Sequence, residues 1–119
     1  MSFESKQATY EQAIDDLVQS VVITENNLAL AFNHYTTDGL ADLLVSGKKY
    51  FRLPDRAISN EDIQQTIKDD PSFNGDIHNL IKQRKFDDAY NMLEKREYAI
   101  AWDLVSEIEQ DYQETLTGT

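Results

Sequence analysis

One stretch of this chain has the ligand spacing of a calcium-binding loop. An EF-hand loop that began at Asp70 would end at Ile81, and its last position must supply a bidentate carboxylate, which isoleucine lacks. The stretch is therefore predicted to bind no calcium and to form a turn, with Asn74 capping a following helix. The oxygen-bearing side chains at the first, third, fifth and seventh loop positions are Asp70, Ser72, Asn74 and Asp76.

The other residue types offer no pattern for catalysis or for a bound metal. His34 and His78 have no second ligand three or four positions away, so neither is predicted to bind a metal. The chain contains no cysteine, which excludes thiol catalysis and thiolate metal sites. Among 22 acidic residues, some carboxylate pair falls at catalytic distance by chance. We predict that the protein is not an enzyme and has no catalytic residues, cofactor or metal.

The last helical stretch carries its carboxylates on one side. At about 100° per residue, four acids fall within about 80° of one another, on the side opposite an apolar stripe. These acids are Asp103, Glu107, Asp111 and Glu114, and the stripe is Tyr98, Ala101, Val105, Ile108 and Tyr112. Like charges four residues apart cost a few tenths of a kcal/mol per pair, roughly. Reversing the charges of Glu107 and Asp111 is therefore expected to leave the isolated protein as stable as before, or slightly more stable.

These carboxylates are the candidate partner-binding residues. With 11 Lys and Arg against 22 Asp and Glu, the net charge is −11, which repels nucleic acid and anionic membranes. The sequence thus predicts a protein partner with a basic nucleic-acid-binding cleft, and no direct contact with nucleic acid or membrane. A homodimer, and a merely solvated helix face, stay open as alternatives. The predicted partner-binding residues are Asp87, Asp88, Glu94, Glu97, Asp103, Glu107, Asp111 and Glu114.

Basic residues also cluster, and they are predicted to pair with acids within the fold or at a dimer contact. The two clusters are Lys48, Lys49, Arg52 and Arg56, and Lys82, Arg84 and Lys85.

The elements that position these residues are predicted to be helices. With 119 residues the chain is one domain, and Gly plus Pro is only 4 + 2 = 6. Residues 1–8 are expected to be flexible, and residues 9–116 to form a compact all-α domain of five to six helices with a long acidic C-terminal helix. That last helix starts at Phe86 and is either continuous or bent near Lys95. Lys48–Asp55 is predicted to be a loop or one short strand.

Local signals set the expected helix ends. Cap residues are expected at Thr9, at Thr24 with Glu25, at Thr37 with Asp38, and at Ser59 with Asp62 three positions on. Gly47 is expected to end the third helix. Phe86, Ala89, Tyr90 and Leu93 form an apolar stripe that is expected to face the core.

The chain resembles the Ocr-type anti-restriction family of acidic, helical DNA mimics, and it shares a general character with small anti-CRISPR proteins. The resemblance is carried by Thr9-Tyr10, His34-Tyr35 before a helix ending near Gly47, Leu53-Pro54-Asp55, and the acidic final helix. It implies a phage-encoded, non-catalytic inhibitor in the host cytoplasm. Such an inhibitor would use an acidic, partly DNA-mimicking surface to block a restriction or CRISPR-type enzyme.

The net charge of −11 equals the phosphates of about five to six base pairs, so any DNA mimicry is partial. No apolar run approaches the roughly 18 residues of a membrane span, and no signal-peptide pattern opens the chain, which favours the cytoplasm. The rival function is a helical adaptor that binds a protein partner through an apolar groove.

Overall fold

The computed structural model describes residues 11–12, 14–19 and 21–117, and helices account for 76% of these residues. The prediction of a mainly helical chain is confirmed. The predicted flexible residues 1–8 and the cap at Thr9 lie outside the described residues. In chain order the elements are α1 (described at residues 11–12 and 14–19), β1 (Val22–Thr24), a 3-10 helix (Glu25–Asn27), α2 (Leu28–His34), α3 (Thr37–Val45), β2 (Tyr50–Leu53), β3 (Arg56–Ile58), α4 (Asn60–Lys68), α5 (Pro71–Lys82) and α6 (Phe86–Thr117).

A small three-stranded sheet corrects the all-α prediction. β1 pairs in parallel with β2, and β2 pairs antiparallel with β3, so the order is β1-β2-β3. The helices α2 and α3 form the crossover between the two parallel strands, and Pro54 and Asp55 form the two-residue link between β2 and β3. Ile23, Phe51 and Ile58 are cross-strand partners and are all buried, so one face of the sheet belongs to the core.

Several predicted helix ends are confirmed. The Ser59 amide donates to Asp62 Oδ2 at 2.6 Å, which forms the expected capping box of α4. Thr24 caps the 3-10 helix, and Gly47 follows α3 with a φ of 74°, a conformation that glycine adopts without strain. α3 itself is capped by Thr36, one residue before the expected position, because its hydroxyl accepts the Gly39 amide at 3.0 Å.

The stretch with calcium-loop spacing is a helix. Asp70 caps α5 by accepting the Phe73 amide at 3.2 Å, and Pro71 occupies the first turn, where its missing N–H costs nothing. The expected cap at Asn74 was wrong: its amide donates instead to the carbonyls of Ile67 and Lys68, at 3.1 and 3.0 Å. Asn74 therefore closes the end of α4 rather than the start of α5.

The helix α6 runs without a break from Phe86 to Thr117, which settles the open question of a bend near Lys95. At about 1.5 Å per residue its 32 residues span about 48 Å. Ala101 at the middle of α6, and Val105 and Ile108 in its C-terminal half, are buried in the core, and the helix also packs against α5. The molecule measures 66 × 30 × 19 Å. It is therefore elongated, which corrects the prediction of a compact shape.

Candidate functional site

Four carboxylates form a row on the solvent side of α6, and we call this row the α6 acidic face. Its members are Asp103, Glu107, Asp111 and Glu114, and all four are exposed. On the other side of the helix, Ala101, Val105 and Ile108 are buried, as the apolar periodicity predicted. Because the opposite side of α6 is packed in the core, the four carboxylates are held facing solvent.

Arg56 of β3 binds two members of the α6 acidic face. Its Nη1 lies 3.4 Å from Glu107 Oε1, and its Nη2 lies 2.5 Å from Asp111 Oδ2. The Arg56 side chain is 27% exposed, so this bridge is partly shielded from solvent. The prediction that basic residues pair with acids inside the fold is thus confirmed for Arg56.

This bridge changes the stability that is expected of the Glu107→Lys and Asp111→Lys double variant. The guanidinium between Glu107 and Asp111 offsets the repulsion that the sequence pattern implied. Replacing both acids with lysine would place three cations together and remove both ion pairs. Asp103 and Glu114 form no ion pair with any residue in the described ranges, so they are the sites where charge can be reversed with least damage.

Two carboxylates from outside α6 extend the acidic face sideways. Glu25 and Asp55 line one depression of about 230 Å³ together with Asp111 and Arg56. Arg52 lies with Glu25 around a neighbouring depression. The extended surface thus holds six carboxylates and two guanidinium groups, which is 6 − 2 = 4 net negative charges. Neither Glu25 nor Asp55 was predicted, because they are far from α6 in sequence.

The structure does not bring the eight predicted residues onto one surface. Asp87 and Asp88 are exposed in the first turn of α6, where a carboxylate stabilises the helix end through the macrodipole. Glu94 and Glu97 turn towards α3 and line a groove with Asp42. The C-terminal four acids are therefore separate from these N-terminal four.

The groove between α3 and α6, which we call the α3–α6 groove, has a volume of about 380 Å³. It combines carboxylates with aromatic and aliphatic side chains: Asp42, Val45, Tyr90, Leu93, Glu94, Glu97 and Tyr98. Tyr90 and Phe86 were expected in the core but are 62% and 60% exposed. The stripe prediction was wrong for these two residues, although Ala89 is buried and Leu93 is half-buried. Sequence reasoning assigned no function to Asp42, Tyr90 or Tyr98.

Two hydrogen bonds to Asp38 fix the side of the α3–α6 groove that Tyr98 forms. The Tyr98 hydroxyl donates to Asp38 Oδ1 at 2.7 Å, and the Trp102 indole donates to the same oxygen at 3.0 Å. The bond to Asp38, followed by burial and by the charge of Asp38, raises the pKa of Tyr98 to about 12. A hydrogen bond to Glu94 is likewise the main cause that raises the pKa of Tyr90.

Lys49 is the one described lysine or arginine in the core. It is 7% exposed, and its Nζ donates to the Leu17 carbonyl at 2.6 Å. That carbonyl lies near the end of α1, where helical acceptors lack internal partners. Burial lowers the pKa of Lys49. The amine therefore joins α1 to the sheet and is a structural group.

Neither a metal centre nor a membrane span is found in the described ranges. No three His, Asp or Glu residues among them are placed to hold a metal ion. His34 packs its ring edge-on against Tyr35, with ring centroids 4.7 Å apart. Of the described helices, none combines the length and apolar character needed to cross a membrane.

Comparison with protein-family models, with curated proteins and with solved structures finds no match for this chain.

Proposed function

We propose that this protein is a non-catalytic inhibitor whose α6 acidic face occupies a basic nucleic-acid-binding cleft on another protein. The observation that carries the proposal is the placement of Asp103, Glu107, Asp111 and Glu114, all exposed on one unbroken helix. The row covers eleven residue steps, or about 16 Å. A rigid row of carboxylates can follow the anion positions of a nucleic-acid backbone because its spacing does not depend on flexible loops.

The magnitudes favour partial mimicry. One acid per about 5 Å of helix is sparser than one DNA strand, which carries a phosphate every ~3.4 Å. Arg56 lowers the charge of the row further, while Glu25 and Asp55 restore two carboxylates beside it. Such a surface supports steering into a basic cleft and contact with part of it.

The proposed target is a restriction or CRISPR-type defence enzyme of a host cell, blocked in the cytoplasm by a phage-encoded protein. These details derive from the sequence resemblance to Ocr-type DNA mimics. The acidity of the α6 acidic face supports a basic nucleic-acid-binding cleft as the surface that it would bind.

Charge reversal away from Arg56 tests the proposal. The double variant Asp103→Lys with Glu114→Lys should keep its fold, because neither residue makes an ion pair with the described part of the chain. A matched control is Asp15→Lys with Asp76→Lys, which makes the same charge change at exposed positions on α1 and α5. Binding to the partner should fall for the first pair and persist for the second. Equal loss in both pairs would show that only net charge matters.

A helical adaptor is the second candidate function, and the α3–α6 groove favours it. The groove holds Val45 and Leu93 between its polar walls, so it can bury apolar groups of a partner. Salt separates the two functions. Binding led by the acidic face should weaken steeply as ionic strength rises, whereas binding led by an apolar groove should change little.

A further inference from the structure

We propose that the α3–α6 groove receives an arginine side chain from a basic segment of the partner protein. The inference rests on the proposed function, since it assumes a basic protein partner. It adds a second binding site, on a different side of α6 from the acidic face, and it names the side chain that this site takes.

The charges that line the groove select a cation. Asp42, Glu94 and Glu97 contribute three carboxylates, and the described lining contains no lysine or arginine. A cationic group that enters is therefore attracted from both helices, because Asp42 belongs to α3 and the two glutamates belong to α6. An anionic or purely apolar segment would cover these carboxylates without supplying a positive charge to offset theirs.

The aromatic and aliphatic residues fit the rest of an arginine side chain. Tyr90 and Tyr98 present rings over which a guanidinium can stack. Val45 and Leu93 offer apolar surface to the three methylene groups of the stem. Arginine suits such a site better than lysine, because a planar, weakly hydrated guanidinium can bind a carboxylate and stack on a ring together.

The walls of the groove are held in place before any partner binds. Tyr98 is fixed by its 2.7 Å bond to Asp38, and the Gln64 amide holds Glu97 Oε1 at 3.3 Å. The unbroken helix α6 fixes Tyr90 and Glu94 relative to each other. A site built on two packed helices loses little conformational entropy when it binds.

The test is an NMR titration of the labelled full chain with an uncharged-end peptide that carries one arginine among alanines. The control peptide has citrulline in place of arginine, which keeps the shape and removes the charge. We expect saturable shifts at the amides of Tyr90, Glu94 and Tyr98 with the arginine peptide and none with the citrulline peptide. Glu94→Gln should weaken binding by roughly two- to fivefold, and Tyr90→Ala by a similar factor.

Asp76→Asn is the matched control, because it removes the same charge at an exposed position on α5 outside the groove, and it should leave the affinity unchanged. Equal weakening by Asp76→Asn and Glu94→Gln, or shifts spread along the α6 acidic face, would overturn the proposal in favour of general attraction. Absence of saturable shifts would also overturn it. Sedimentation without peptide gives a further check. Self-association that is lost in Arg84→Gln would overturn the proposal, because a second copy of this chain, and not another protein, would then fill the groove.

This test is independent of the fate of the proposed function. Failure of the peptide to bind removes the groove alone, and the charge-reversal result on the α6 acidic face still decides whether the protein is an acidic inhibitor.

Discussion

A single residue, Arg56, pairs with two of the four carboxylates that the sequence pattern of α6 predicts to face a partner. Its guanidinium lies against both Glu107 and Asp111, so it ties β3 to the middle of α6. It also neutralises one charge of the row that would face a partner. Substitution of Arg56 should therefore change both the stability of the fold and the negative charge that the α6 acidic face presents to a partner.

We predict that Arg56→Gln destabilises the protein by roughly 1 kcal/mol, since two partly shielded ion pairs are lost and the two carboxylates then repel each other. Urea unfolding in low and high salt measures the effect, which should shrink as salt screens the charges. Arg52→Gln is the control, because Arg52 is exposed and forms no ion pair with the described residues. Equal stability of both variants would contradict this account of Arg56.

The Tyr98 hydroxyl makes stability depend on alkaline pH. Its pKa is raised to about 12 in the fold, first by the hydrogen bond to Asp38, against about 10 in the unfolded chain. A raised pKa means that the stabilisation is full below pH ~10 and is lost as the pH rises towards ~12.

Unfolding of the wild type and of Tyr98→Phe across this range measures that contribution. The wild type should exceed the variant in stability by a constant amount below pH ~10, and the difference should disappear towards pH ~12. Ultraviolet absorbance of tyrosinate should show one late-titrating group in the wild type that the variant lacks. A difference that does not change with pH would contradict the role given to the hydroxyl.

At the scale of elements, two glycines with opposite environments test how the helices are built. Gly75 lies within α5, and a Cβ there would meet nothing within 4 Å. Gly75→Ala should therefore raise stability by roughly 0.5–1 kcal/mol. Gly47 follows α3 with a φ of 74°, so Gly47→Ala should lower stability by roughly 1–2 kcal/mol. Thermal or chemical unfolding of the two variants checks both signs, and a loss at Gly75 would contradict the helical assignment of that region.

The elements differ in how far the sequence could predict them. The capping box at Ser59 and Asp62, and the core stripe through Ala101 and Val105, were recoverable because they follow local rules of spacing. β1 was missed because its three residues, Val22–Thr24, are too few to show a period. Its formation depends on pairing with β2, which lies more than twenty residues along the chain.

The candidate site shows the same limit. The α6 acidic face was predicted from helical spacing alone, since its four members belong to one helix. Arg56, Glu25 and Asp55 reach it through the sheet and its turns, which the sequence did not reveal. The exposure of Tyr90 was missed because its periodicity is that of a core residue, and its stripe neighbours Ala89 and Leu93 are indeed buried and half-buried. Only the tertiary arrangement shows which members of an apolar stripe are left exposed.

At the scale of the whole molecule, elongation separates two surfaces on one helix. The α6 acidic face lies on the C-terminal half of α6, and the α3–α6 groove lies nearer its N-terminal half. A partner that touches both would be contacted along much of a helix about 48 Å long. Under the proposed function, a partner with an extended basic cleft would contact both surfaces, and no lysine or arginine follows Arg96 in the sequence to oppose it.

The most direct test is capture of the partner from lysate of the native host on immobilised protein, followed by elution with duplex DNA. The account predicts that a nucleic-acid-binding enzyme is retained at low salt and released by duplex DNA or by high salt. It should be lost with the Asp103→Lys and Glu114→Lys variant but kept with Asp15→Lys and Asp76→Lys. A partner that binds the first variant as tightly as the wild type, and that neither duplex DNA nor salt displaces, would contradict the claim that the α6 acidic face occupies a nucleic-acid cleft.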